Sequence, residues 1–227
     1  MVRDQLVRRG IDDSRVLDAM REVRREAFAP ASQRKFAYDD HPLPLGHGAT
    51  MSQPYIVALM TELAEVQPGD RVLDVGTGSG YQAAVLAEMG AEVFGVELIE
   101  PLASTAQAAL RAEGYGAVEV REGDGREGWP QRAPFDVIMV AAAARAVPEQ
   151  LLSQVAVGGR IVLPLGPDGD SQVLSVITRD PGGFSERESI PVRFVPLVHG
   201  GGLPAGPDGI SGRQPSNAGG GHRDSNV

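Results

Sequence analysis

A doubly wound α/β fold, with a mostly parallel sheet and a small helical addition at the N-terminal end, is predicted by two features of the chain and bounded by a third. From residue 70 onward, short valine-rich stretches alternate with helical patterns. Such alternation produces right-handed βαβ units and a parallel sheet covered on both faces. The first of those stretches, residues 71–75, runs straight into Gly76-Thr77-Gly78-Ser79-Gly80 ahead of a helical pattern, which is where an open α/β sheet places its ligand. Finally, 227 residues with 42% hydrophobic content supply one substantial core and not a second. One domain is therefore expected over residues 1–199, with an N-terminal helical segment at 1–66 and an α/β core at 70–199, ahead of a Gly/Pro/Ser-rich tail at 200–227.

Residues 1 to about 30 read as helical, because Val16, Leu17, Met20 and Val23 form an apolar stripe after candidate caps at Asp12 and Asp13. Proline, glycine and histidine make residues 38–50 a loop. A helix is expected from Pro54, which suits a first helical turn, with Ile56, Val57, Met60 and Leu63 as its buried face. Strands follow at 71–75, 92–97, 118–122, 135–140 and 159–164, separated by helices at 81–89, 100–112 and 148–155. Two more strand candidates, 172–179 and 187–197, are joined by Pro181-Gly182-Gly183 with no helix between them, so an antiparallel pair at or near the sheet edge is expected. The tail has almost no large apolar side chains to offset its ordering entropy, and disorder is expected there.

Composition narrows the function. A net charge of -9 argues against a general nucleic-acid binder, which needs a basic stripe. The absence of cysteine excludes disulfides and thiolate metal sites, and the four histidines show no metal-ligand spacing, so no metal is expected. Residues 1–9 are charged and no stretch approaches the length of a membrane span. A cytoplasmic protein with no membrane partner is the expectation.

The glycine loop selects among cofactors. A dinucleotide fingerprint would place its third glycine at Tyr81, whereas the pattern here is G-x-G-x-G with Asp74 two residues ahead. That spacing points to S-adenosylmethionine. Glu97 closes the second strand 21 positions after Gly76, and its two oxygens can accept from both hydroxyls of a ribose. Asp124, between Gly123 and Gly125, is placed to accept from an exocyclic adenine amine. Each acid alone could be a solvated strand-end carboxylate; their joint placement favours the cofactor.

With these residues in view, positions 14 to 198 resemble the protein-L-isoaspartate (D-aspartate) O-methyltransferase family. The resemblance rests on residues 48–58 (GATMSQPYIVA), residues 73–81 (LDVGTGSGY), Gly123-Asp124-Gly125 through Gly128-Trp129-Pro130 to Phe135-Asp136, Ala142-Ala143-Ala144 with Pro148, Gly158-Gly159-Arg160 with Pro164-Leu165-Gly166, and residues 193–197 (RFVPL). It implies a Rossmann-like class I methyltransferase whose seven-stranded sheet can have its last two strands exchanged. It also implies methyl transfer from S-adenosylmethionine to the α-carboxyl of L-isoaspartyl and D-aspartyl residues in damaged proteins and peptides, leaving S-adenosylhomocysteine. The ester then closes to a succinimide, whose hydrolysis returns part of the material to aspartate. A carboxylate with a pKa of about 4 is already ionised at neutral pH, so no general base is required.

The resemblance further implies roles for single residues. Ser52 matches the active-site serine and would orient the acceptor carboxylate, with Ala49, Thr50 and Met51 supporting it; a helix N-cap is its alternative role. Val195, Pro196 and Leu197 match a segment lining the peptide groove, and an ordinary last strand is the alternative. Asp74 would meet the methionine end of the cofactor through water, or would order the loop. Arg24-Arg25, Met51 and Ala141 depart from the usual family pattern. A monomer is expected. Two other functions stay open at this point: methylation of an ordinary aspartate in one dedicated peptide, and a binding module without turnover.

Overall fold

The computed structural model describes residues 1–167 and 171–199; the tail expected to be disordered lies outside them. A seven-stranded sheet carries the fold, in the order β5-β4-β3-β6-β7-β8-β9. Its strands are β3 (Arg71–Val75), β4 (Glu92–Glu97), β5 (Glu119–Glu122), β6 (Phe135–Val140), β7 (Val155–Leu165), β8 (Gln172–Asp180) and β9 (Gly183–Val192). Pairings from β5 through β7 are parallel and those of β7 with β8 and β8 with β9 antiparallel. The last two strands therefore follow chain order, as one form implied by the resemblance requires.

Alternate residues of the central strands enter two separate cores, as a period of two dictates. Val72, Val137 and Met139 face a core shared with α1 (Ser14–Glu22), α2 (Pro54–Ala64), α3 (Tyr81–Glu88) and Leu110 of α4 (Glu100–Ala112). Leu73, Val75, Ile138 and Val140 face the other, closed by Leu151 of α5 (Glu149–Gln154) and by Trp129. Within that second core Phe94 packs at 5.9 Å from Trp129 and 5.8 Å from Phe135. Tilted and edge-on aromatic pairs of this kind add about 0.5–1.5 kcal/mol each beyond area burial.

Local chemistry sets the element ends. Asp13 caps α1 by accepting from the Arg15 amide, Pro54 opens α2, and Gly80, in the left-handed region at φ 87, precedes α3.

Several expectations need correction. Residues 1–30 are not one helical run: a π turn at Val2–Leu6 and a 3-10 turn at Val7–Arg9 end at left-handed Gly10, and a 3-10 turn at Arg25–Phe28 follows α1. The expected loop at 38–50 holds a hairpin of β1 (Leu43–Gly46) and β2 (Ala49–Met51). Helix α2 is buried nearly all round, with Ile56 and Leu63 only partly so. The fifth core strand starts at Val155 rather than 159, and the last ends at Val192 rather than 197.

Beyond Val192 the chain leaves the sheet edge and crosses the carboxyl ends of the strands. The Phe194 amide donates to Gln172 Oε1 on β8. Val195 and Leu197 then bracket Ala143, whose amide donates to the Val195 carbonyl at 2.8 Å and whose carbonyl accepts from the Leu197 amide at 2.7 Å. Leu197 comes to rest over Gly125.

Gly125 itself is required by packing, since a Cβ there would lie 2.4 Å from Val75 Cγ1. Gly125→Ala is expected to lower stability by about 1–3 kcal/mol through overpacking, read as a shifted urea midpoint. Gly182→Ala, where nothing lies within 4 Å, should move stability by less than about 0.5 kcal/mol.

Candidate functional site

The site forms where β3 ends. Gly76, Gly78 and Gly80 all adopt positive φ, at 79, 56 and 87°, a backbone that side chains resist. The Gly76 amide donates to the Val96 carbonyl at 2.8 Å, pinning the loop to β4. Glu97, 6% exposed, holds it further: Oε2 accepts from the Gly78 amide at 2.8 Å and Oε1 from the Ile99 amide at 3.0 Å. Thr77 Oγ1 donates to the Asp74 carbonyl. Gly95 must stay bare beneath it, because a Cβ would sit 2.6 Å from that oxygen.

Asp74 is fully buried, and neither carboxyl oxygen has a hydrogen-bond partner. Burial above all, and in smaller part the charge of Glu97, push its pKa up to about 7, with the Thr77 hydroxyl offsetting only part of this. An orphaned buried carboxylate beside a glycine loop fits a ligand that brings a positive charge.

A cavity of about 40 Å³ opens beside the loop, lined by Asp74 and by Gly76, Thr77, Gly78 and Ser79 on one side, and by Thr50, Met51 and Ser52 on the other. Val57, Met60, Met139 and Ala141 make its apolar walls, and Tyr81 and Gln82 complete it. Ser52 does not cap α2: the N-cap is Gln53, without a side-chain bond. Among the described residues the Ser52 hydroxyl has no hydrogen-bond partner, which leaves it available to a ligand, while its carbonyl accepts from Arg25 Nη2 at 2.7 Å.

The other expected residues do not line this cavity. Gly80 packs beneath the loop, where a Cβ would meet Leu110 at 3.2 Å. Gly123 donates its amide to the Glu97 carbonyl at 2.9 Å, placing Asp124 beside the Glu97 strand end. Asp124 Oδ1 accepts from the Arg126 amide, and Oδ2 lies 3.3 Å from His199 Nδ1. Ala49 begins β2, one residue before the lining. Val195, Pro196 and Leu197 run along Ala143, two residues beyond the cavity wall at Ala141; they are a crossing segment rather than the last strand.

A larger cavity of about 790 Å³ shares Gly78 and Ser79 and runs along α4 to Arg24 and Glu113. Its greater size does not make it the reacting centre, because neither Ser52 nor Asp74 reaches it. Sequence reading missed Arg25, Gln82, Met139 and His199 at or beside the site. Arg25 stood within a charged run with no signal of burial, and His199 is brought in only by the crossing segment.

Glycine loop, buried strand-end acids and sheet order together define a Rossmann-like methyltransferase that uses S-adenosylmethionine. Comparison with known proteins makes this specific. A sequence model of protein-L-isoaspartate(D-aspartate) O-methyltransferase matches residues 1–202. A protein-L-isoaspartate O-methyltransferase of Gloeobacter violaceus is 53% identical over 198 residues, covering 87% of this chain and 97% of that protein. One of Methylorubrum populi is 54% identical over 200 residues, covering 88% and 94%. A Plasmodium falciparum protein assigned to the same activity, crystallised with S-adenosyl-L-homocysteine, superposes with a TM-score of 0.77 at 29% identity over 87% of this chain and 96% of that one. The chain belongs to the protein-L-isoaspartate(D-aspartate) O-methyltransferase family.

Among the described residues, no helix is long and apolar enough to cross a membrane, and no cluster of three or more His, Asp or Glu is arranged to hold a metal ion.

The Asp74 carboxyl gives a test of the site without ligand. Because its folded pKa is raised, its ionisation destabilises the folded state progressively as pH rises from about 4 to about 7. Asp74→Asn removes this titration. The variant is expected to match the parent below about pH 4 and to exceed it by a few kcal/mol, order ~1–4, above pH 7, measured by chemical denaturation of ligand-free protein at a series of pH values.

Proposed function

We propose that this chain repairs damaged polypeptides by methylating the α-carboxylate of L-isoaspartyl and D-aspartyl residues, with Ser52 orienting the acceptor and the glycine loop, Asp74, Glu97 and Asp124 holding the donor. The observation that carries this reading is that Ser52, with an unengaged hydroxyl, and Asp74, with an unengaged carboxyl, line one cavity from opposite elements. When bound, S-adenosylmethionine supplies a methyl carbon on a positively charged sulfur, and the bond between them breaks, its electron pair staying on sulfur, as the acceptor oxygen bonds that carbon.

The chain's own residues have a limited task. No proton needs to be taken from an acceptor that is already ionised, and among the described residues no base lines the cavity with Ser52 other than the buried Asp74. Ser52 donates one hydrogen bond to one oxygen of the carboxylate and leaves the other oxygen for reaction. Met51, Val57, Met60 and Met139 exclude water from the acceptor, whose hydration would otherwise blunt its nucleophilicity. A 40 Å³ space is too small for a nucleoside, and in this reading Glu97 and Asp124, at neighbouring strand ends, would hold the adenosine part outside it. Val195, Pro196 and Leu197 offer main-chain groups to an extended polypeptide, which gives affinity without reading side chains. Thr50, Met51 and Ala49 hold Ser52 at the end of the hairpin.

The deciding assay compares methyl transfer to an isoaspartyl peptide with transfer to its aspartyl twin. Turnover of the isoaspartyl peptide alone is expected; equal turnover of both, or none of the first, overturns the proposal. Release of no S-adenosylhomocysteine despite measurable donor binding would leave a binding module instead. Ser52→Ala should lower kcat/KM by roughly ten- to a hundredfold, the worth of one hydrogen bond to a charged group, with donor affinity unchanged by calorimetry. A loss of less than about twofold would remove Ser52 from the site.

A further inference from the structure

Arg25 is among the largest fully buried side chains of the described residues, with no exposed surface. Its Nε donates to the Ala37 carbonyl at 2.6 Å and its Nη2 to the Ser52 carbonyl at 2.7 Å, while its guanidinium carbon lies 4.7 Å from the centre of the Tyr81 ring. Nη1 is buried with no partner. The groups that act most on its charge are Tyr81 and Tyr38; no carboxylate is among them. Burial lowers its pKa from the ordinary value, yet a guanidinium stays protonated in proteins. A full positive charge is thus kept in the interior by two carbonyls and a ring face, and an isolated interior charge persists only where something compensates it.

Two of the three groups it touches, Ser52 and Tyr81, belong to the two halves of the site. Ser52 ends the acceptor segment, and Tyr81 begins α3 directly after the glycine loop; both line the same cavity. Arg25 is therefore the fixed joint between them. Arg25 stands behind this cavity without lining it, whereas Asp74, also fully buried and of opposite charge type, lines it from the donor side.

We propose that Arg25 is a positioning residue for the acceptor, locking the Ser52 peptide against Tyr81 and favouring, through its uncompensated charge, an ionised carboxylate over a neutral group. This rests on the reading of Ser52 given above. The two contributions separate kinetically. The acceptor's charge is full before methyl transfer and is lost in forming the ester, so the cation strengthens ground-state binding and acts on KM, whereas the geometry of Ser52 acts on kcat.

Arg25→Lys keeps the charge and loses the fork that reaches two carbonyls at once. It should lower kcat by about fivefold or more with KM for an isoaspartyl peptide within about threefold. Arg25→Met also loses the charge and should raise KM by about tenfold or more. In competition binding with S-adenosylhomocysteine present, the parent should prefer the isoaspartyl peptide to its α-carboxamide, and Arg25→Met should lose that preference. The affinity for S-adenosylhomocysteine alone should stay within about threefold in both variants. A purely structural role would instead weaken donor and peptide binding in parallel with a lowered melting temperature, and that result, or unchanged kcat and KM in Arg25→Lys, overturns the proposal. Should Arg25→Met not fold, the Lys variant and the carboxamide competition on the parent decide alone, and absence of preference there is equally fatal. A parent that binds but does not methylate the isoaspartyl peptide refutes the functional reading, and unchanged peptide affinity in Arg25→Met then refutes this one separately.

Discussion

The carboxylate of Glu97 is the constraint on which the site depends. It closes β4, and its two oxygens reach the Gly78 amide in the loop after β3 and the Ile99 amide at the approach to α4. Its own carbonyl takes the Gly123 amide from the segment after β5. Three neighbouring strand ends are thus tied by one nearly buried residue. Hydrogen bonds to an ionised acceptor are roughly twice as strong as neutral ones, which suits a loop of three left-handed glycines that has little intrinsic preference for any one shape. Without this tie the loop amides would need water, and Asp74 would lose its enclosure.

Burial of charge is the recurring theme around the reacting centre. Asp74 and Arg25 are each fully buried with an unsatisfied polar atom, a combination that folding alone disfavours. Asp74 lines the small cavity and Arg25 holds two residues that do, Ser52 and Tyr81, so the unfavourable terms are concentrated where a ligand can relieve them. The rest of the molecule is conventional by comparison: two apolar cores, one for each face of the sheet, and an edge strand, β9, whose exposed Glu186, Arg187 and Glu188 discourage pairing with another chain.

Much of this was legible in the sequence because the central strands are covered on both faces. Val72-Leu73 with Val75, and Val137-Ile138-Met139-Val140, read as buried strands since apolar residues feed both cores at once, and the glycine spacing with Glu97 and Asp124 named the cofactor. The hairpin at 43–51 was not legible. Its prolines and glycines are loop signals, but Pro44 can sit in a two-stranded edge where its missing amide matters little, and the turn passes through His47 at φ 52 between two glycines. Arg25 escaped notice because an arginine in a charged run ordinarily lies in solvent, and nothing local reveals that Ala37, Ser52 and Tyr81 converge on it. The end of β9 was misplaced because Phe194, Val195 and Leu197 have strand-like character while their partners, Gln172 and Ala143, are distant in sequence.

The crossing segment beyond Val192 has a consequence for how the protein becomes competent during synthesis. The donor side of the site is assembled from residues 71–125, in the middle of the chain, but the wall bearing Val195 and Leu197 and the contact of His199 with Asp124 come from the far end of the described residues. The tie between the glycine loop and Glu97 therefore joins residues that are synthesised well before the segment that crosses Ala143. The two hydrogen bonds to Ala143 and the contact of His199 with Asp124 are deferred until the sheet edge has formed and the chain has turned back across it.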